Sequence, residues 1–153
     1  MSDFLPPLPD RMISCQRTLQ VPVQMVYRAW TEPQELMRWW GPHGFHNTLI
    51  EHHPEPGGAW RFIMHGADGT SYPNECAYVW LETNRRIVWN HLNPPVFQGE
   101  ALFEEMDKAQ TLLTFRMLFH TPANCEAVKK YAVGKNEENL DRLEVVLREL
   151  QEK

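Results

Sequence analysis

This chain lacks the features that mark secreted, membrane-spanning or nucleotide-cradling proteins. Its three cysteines, Cys15, Cys76 and Cys125, are odd in number and far apart. They fit neither a disulfide framework nor a metal or redox motif, so the expectation is three reduced thiols in a cytoplasmic protein. Lysine and arginine total 15 against 20 acidic residues, a net charge of −5, and no basic run offsets it. That is the wrong sign for a nucleic-acid binder, and no nucleic-acid partner is expected. No apolar run reaches the length of a membrane span. The first residues, Met-Ser-Asp-Phe-Leu-Pro-Pro-Leu-Pro-Asp-Arg, have neither the basic nor the apolar region of a signal peptide. The eight glycines never gather into a phosphate-cradling loop, so neither a nucleotide cofactor nor direct ATP turnover is expected.

What the chain does have is tryptophan, six among 153 residues, three of them in one short stretch. From Val21 to Gly41 the sequence reads as two short helices back to back. Pro22 suits a helix start. Val23, Val26, Tyr27 and Trp30 follow a helical period. Thr31-Glu32-Pro33-Gln34 has the form of a capping box, which places the start of the second helix there. Gly41-Pro42 ends it. So short a helix pair cannot bury its aromatics alone and must lie against a sheet.

The rest of the chain supplies that sheet. Residues 12–19 read as a first strand and residues 45–52 as a second. Pro54-Glu55-Pro56-Gly57-Gly58 is a turn. In the next strand, residues 59–65, alternation puts Trp60, Phe62 and Met64 on one face. Asp68-Gly69 closes a hairpin. Strands follow at 75–81, 86–92, 101–105 and 111–120, an antiparallel meander. Thr121-Pro122 opens a C-terminal helix with Leu140, Leu143, Leu147 and Leu150 in register, and Gly134 is the place where it would break in two. Its apolar stripe should pack on the sheet's concave face. Residues 1–10 are Pro-rich and read as an extended arm; residues 11–153 form one domain.

Several segments in this order resemble the START-like, or helix-grip, superfamily, in the branch related to the activator of the heat-shock chaperone ATPase. They are Val21-Pro22, Ala29-Trp30-Thr31-Glu32-Pro33, Arg38-Trp39-Trp40-Gly41-Pro42, Pro56-Gly57-Gly58, Gly66-Ala67-Asp68-Gly69-Thr70, Tyr72-Pro73, Arg86-Ile87-Val88-Trp89 and Asn139-Leu140-Asp141-Arg142-Leu143. The resemblance covers the chain from about residue 12 onward. It implies an α+β helix-grip fold: a curved antiparallel sheet of six to seven strands around a long C-terminal helix, with two short helices between the first two strands. It also implies an apolar cavity between sheet and helix. Members bind lipids, hormones or polyketides, some cyclise polyketides, and one branch stimulates a chaperone ATPase. The chain departs from the common pattern at Asn136, where many members have Trp, and at Trp80, where Glu is usual.

Chemistry-bearing residues give no catalytic constellation. His43, His46, His52 and His53 sit in a loop and at strand edges without the further ligands of a zinc site, so no metal is expected. Ser71 and the three cysteines lie in no nucleophile elbow. Glu105 shares the face of Ala101 and Phe103 at the sheet rim, and Arg116 reads as a solvated residue on the opposite face from Phe115. The expected function is therefore binding of a small apolar molecule, without cofactor, by Trp60, Phe62, Tyr78, Trp89, Phe115, Met117, Asn136, Leu140 and Leu143. Trp39 and Trp40 would guard the mouth, and His91 would be a further polar fixture. Asn136, Leu140 and Leu143 share a helical stripe. The alternatives are a chaperone- or regulator-contacting protein acting through its surface, a homodimer, and a cyclase-like or hydrolase-like enzyme.

Overall fold

The computed structural model describes residues 3–152; Met1 and Ser2 of the expected arm, and Lys153 at the domain's end, lie outside the described residues. Strand β1 (Met12–Leu19) leads into helices α1 (Val23–Thr31) and α2 (Pro33–Trp39). Strands β2 (His46–His52), β3 (Ala59–His65), β4 (Ser71–Glu82), β5 (Arg86–His91), β6 (Phe97–Asp107) and β7 (Gln110–Leu118) follow, and helix α3 (Pro122–Gln151) ends the chain. The seven strands form one antiparallel sheet in the order β1-β7-β6-β5-β4-β3-β2. Each meander step pairs neighbours; only β1 reaches across to join the last strand. This is the helix-grip arrangement, with α3 packed on the concave face.

Three local features differ from the sequence reading. Thr31 does not cap α2. It belongs to the last turn of α1, where helical backbone aims its hydroxyl at the Tyr27 carbonyl (3.0 Å). The α2 N-cap is Glu32, without a side-chain bond, and Pro33 fills the first position. Strands β4 and β6 start four residues earlier than expected, β4 running through Pro73. At Pro73 the strand pairs with β3 only, because β5 pairing begins at Cys76, so proline's missing N–H breaks no ladder there. Finally, Gly134 does not divide α3, which runs unbroken for 30 residues from a Thr121 cap that accepts the Asn124 N–H at 3.1 Å.

A single glycine weakens a helix without ending it. Apart from its chain neighbours and the local helix backbone, no atom of the described residues lies within 4 Å of a Cβ built at Gly134. Gly134→Ala should therefore raise stability by about 0.5–1 kcal/mol, through backbone entropy alone. A denaturation midpoint that falls instead would mean the glycine serves packing that its surroundings do not reveal.

Helix α3 is fastened most firmly along its second half. Leu140, Leu143 and Leu147 are fully buried. Arg17 on β1 fans out to Asp141 (2.7 Å), Glu144 (2.9 Å) and Glu137 (2.7 Å), and Arg38 of α2 pairs with Glu149. On the convex face, Glu100 is 3% exposed and receives Arg86 at 2.6 Å and Arg116 at 3.1 Å. Arg116 is thus one arm of an ion-pair cluster and not a freely solvated side chain, because Glu100 is its cross-strand neighbour. The N-terminal segment lies over this cluster. Gln98 accepts the Leu5 N–H (2.8 Å) and donates to the Asp3 carbonyl (2.9 Å), and the Arg86 guanidinium sits 4.5 Å over the Phe4 ring.

Candidate functional site

The aromatic residues gather at the centre of the concave side. Trp30 of α1 is the hub, with ring centres of Trp39, Trp40, Trp89, Phe115 and Phe103 between 4.8 and 6.0 Å away, mostly edge to face. Trp60 stacks between Phe62 (4.7 Å) and Tyr78 (5.9 Å). Trp89 lies across its strand neighbour Gly99, where a Cβ would come within 2.2 Å of the indole. The absence of that Cβ lets the ring lie flat on the sheet.

Beside this cluster, toward the first half of α3, the packing stops short and leaves an apolar recess of about 680 Å³. Its floor is Phe62, Cys76, Trp89, Phe115 and Met117 of the sheet. Its roof is Val128, Ala132, Asn136 and Asn139 of α3, and one wall is the loop Trp40-Gly41-Pro42 with Phe45 and Met64. The exposed members Tyr72, Pro73, Tyr131 and Lys135 mark the mouth. A second hollow, about 910 Å³, lies over the outer face and the β4–β5 turn, with Glu82, Glu104, Glu105, Arg85, Arg86 and Arg116 on its rim. Despite its volume it offers an apolar molecule little beyond what water provides, so the concave recess is the candidate site.

The loop wall is pinned from α3. Asn139, 5% exposed, accepts the Gly41 N–H at 2.6 Å. Arg142 donates to the carbonyls of Trp40 (3.2 Å), Gly41 (2.9 Å), Pro42 (3.0 Å) and Arg38 (2.9 Å). The guanidinium thereby satisfies carbonyls that the end of α2 leaves open. Gly41 has φ +100°, and a Cβ there would approach the Met64 methyl at 2.8 Å, so turn and close contact both require glycine.

Seven of the sequence-predicted site residues meet at the recess: Trp40, Phe62, Trp89, His91, Phe115, Met117 and Asn136. Five lie elsewhere. Trp39 does not guard the mouth; it is fully buried under Trp30, its indole N–H donating to the Ala29 carbonyl at 2.9 Å. Trp60 and Tyr78 are covered by their own stack, and Tyr78 hydroxyl bonds His52 at 2.9 Å. Leu140 and Leu143 pack on the closed core one turn beyond the recess. Sequence reasoning missed Asn139, Tyr131 and Lys135. Asn139 had a legible signal: with Ala132 and Asn136 it continues one helical stripe, at i, i+4 and i+7.

The wall's reactive groups are held quiet. His91 Nδ1 lies 2.8 Å from the Pro95 carbonyl and Nε2 2.6 Å from Asn74 Oδ1, so both ring nitrogens are turned toward the protein and not toward a guest. Burial also pushes this imidazole below its ordinary pKa. The Cys76 thiol is pushed up to about 12 by burial and stays protonated at neutral pH.

A curved seven-stranded sheet gripping one long helix around an apolar recess defines a START-like protein. The chain belongs to the family described as activator of Hsp90 ATPase homolog 1-like protein, which matches residues 20–148. Solved structures share the fold at low identity. A protein from Nitrosomonas europaea superposes with TM-score 0.86 at 22% identity, covering 97% of this chain and 100% of its own. One from Rhodobacter sphaeroides gives 0.83 at 21%, covering 95% and 97%, and one from Arthrobacter aurescens 0.83 at 20%, covering 92% and 87%. No functionally curated protein matches the sequence significantly. Among the described residues no helix is long and apolar enough to cross a membrane.

Proposed function

We propose that this protein binds a small, largely apolar molecule in the recess between sheet and α3, as a cytoplasmic carrier or sensor without a cofactor. The observation that carries the reading is the recess itself. Its volume of about 680 Å³ falls within the roughly 300–1,000 Å³ of small-molecule sites. Its walls combine flat aromatics with the soft Met64 and Met117, surfaces that adapt to varied guests. The engaged His91 and the protonated Cys76 favour holding a molecule over transforming it.

The test is to fill the recess from its roof. Asn136 faces it from α3, and relatives with Trp at this position suggest that the fold accepts the larger side chain. Asn136→Trp should abolish binding of the neutral fluorescent probe N-phenyl-1-naphthylamine while leaving the melting temperature equal or higher. Unchanged probe binding would place the guest elsewhere. A chaperone-contacting role, the one the family's description names, would use the outer surface instead. A chain that binds no probe yet stimulates a chaperone ATPase would establish that reading in its place.

A further inference from the structure

The recess contains an asymmetry in how its polar groups are used. Five of its side chains are already spent on the protein, while on the floor the buried Trp89 indole N–H has no partner among the described residues. His91 turns both nitrogens toward the protein, and Asn74 uses its oxygen on His91 and its amide on the Tyr72 carbonyl (2.8 Å). Asn93 accepts from Glu75 N–H and donates to the Pro73 carbonyl. Ser71 bonds His65, and the Asn139 oxygen holds Gly41. Two neighbours on α3 are different. The Asn136 amide nitrogen has only the Met117 thioether sulfur at 3.5 Å, a weak acceptor, and its oxygen has no partner among the described residues. Next to it, Lys135 has no carboxylate partner among the described residues.

Lys135 is also the only Lys, Arg, Asp or Glu on the recess wall among the described residues. The acidic residues that follow it on α3 are committed elsewhere: Glu137 and Asp141 to Arg17, Glu138 to the His43 N–H at 3.0 Å. Unspent hydrogen-bonding capacity and an uncompensated positive charge thus coincide at one edge of an apolar space. A neutral oil would leave both unused, and a cationic guest would be repelled.

We propose that the guest is an anionic amphiphile: its acidic head, a carboxylate, sulfate or phosphate, pairs with Lys135 and takes the Asn136 amide at the mouth, and its apolar body lies against Trp89, Phe115 and Met117. This rests on the recess being the binding site. The head stays at the water boundary, where an ammonium loses little hydration and a partly shielded pair outperforms one in open solvent.

The experiment compares three ten-carbon chains, decanoate, 1-decanol and decyltrimethylammonium, as competitors of N-phenyl-1-naphthylamine at pH 8, below their micelle concentrations. Decanoate should compete at least about fivefold better than decanol, the upper range of an exposed ion pair. The ammonium compound should be weakest, and the gap should narrow in high salt. Lys135→Gln should erase the gap, whereas Lys129→Gln, on an exposed part of the same helix and off the recess wall, should leave both the gap and the neutral probe's affinity intact. Equal competition by decanoate and decanol, or a gap that survives Lys135→Gln or disappears in Lys129→Gln, would overturn the anionic head while the recess remains the site. If the neutral probe does not bind at all, the recess reading fails, and this inference fails with it.

Discussion

Trp30→Ala should cost roughly 3–5 kcal/mol of folding stability, the largest single loss expected among the aromatic residues. The ring is 2% exposed and touches five other aromatics, each edge-to-face or tilted contact adding to the area it buries. Truncation would leave a cavity at the junction of α1, α2 and the sheet, where several rigid rings cannot collapse together. Trp30→Phe separates two contributions. The Trp30 indole N–H is buried without a partner among the described residues, so the smaller ring loses area but also removes an unsatisfied donor. Its cost should be well under half that of alanine. Urea denaturation of both variants checks this. A Trp30→Ala loss below about 1.5 kcal/mol would mean the cluster is looser than its ring distances imply. Because Trp40 and Trp89 lean on Trp30 and also wall the recess, probe affinity should fall together with stability.

The second large effect comes from adding one methyl group. Gly99→Ala would ordinarily help a strand by about 0.5–1 kcal/mol through entropy, and nothing in the backbone forbids it. Here the new Cβ would lie 2.2 Å from a ring carbon of Trp89 and 2.7 Å from its nitrogen. The ring must tilt into the space beside Phe115 or the strands must part. Overpacking of this kind costs about 1–3 kcal/mol, which outweighs the entropic gain. The decisive measurement is a double-mutant cycle with Trp89→Leu, whose side chain ends short of the ring positions that collide. Gly99→Ala should be nearly neutral in that background. If its cost is the same with either side chain, the collision is not the cause.

How much was readable beforehand varied with the kind of signal. The element order came from turns whose chemistry is local: Asp68-Gly69, with Gly69 at φ +86°, and Thr121-Pro122, whose threonine does cap α3. Strand faces were legible where alternation ran uninterrupted, as at Trp60 and Phe62. The bulge between Tyr78 and Trp80 shows the limit of that rule, since one extra residue leaves Trp80 42% exposed on a strand whose Tyr78 is buried. The Thr31 motif was misleading because a capping box and the end of a preceding helix share the same letters. For the recess, sequence could identify large apolar residues but not which of them border empty space. Trp39 and Trp40 are adjacent and identical in type, yet one is sealed under Trp30 and the other forms a wall. That difference comes from the rotation of α2 against the sheet, which no local pattern encodes. Lys135 was passed over for a related reason: a lysine on an exposed helix face looks ordinary until the empty volume beside it is known.

The fastening of α3 has a mechanical consequence. Arg17, Arg38, Arg142 and the buried leucines hold its second half, while from Lys129 to Lys135 only Ala132 is buried. Such a helix is a bridge held at both ends, by the buried Cys125 and Val128 near its start and by the second-half clamp, with a lightly held span over the recess between them. A beam loaded between its supports deflects most at mid-span and scarcely at its ends. Admitting a guest would therefore disturb Tyr131 and Lys135 at the mouth while the clamp at Asn139 and Arg142, and the Trp40–Pro42 wall it holds, stay in place. The entrance can yield without loosening the back wall of the site.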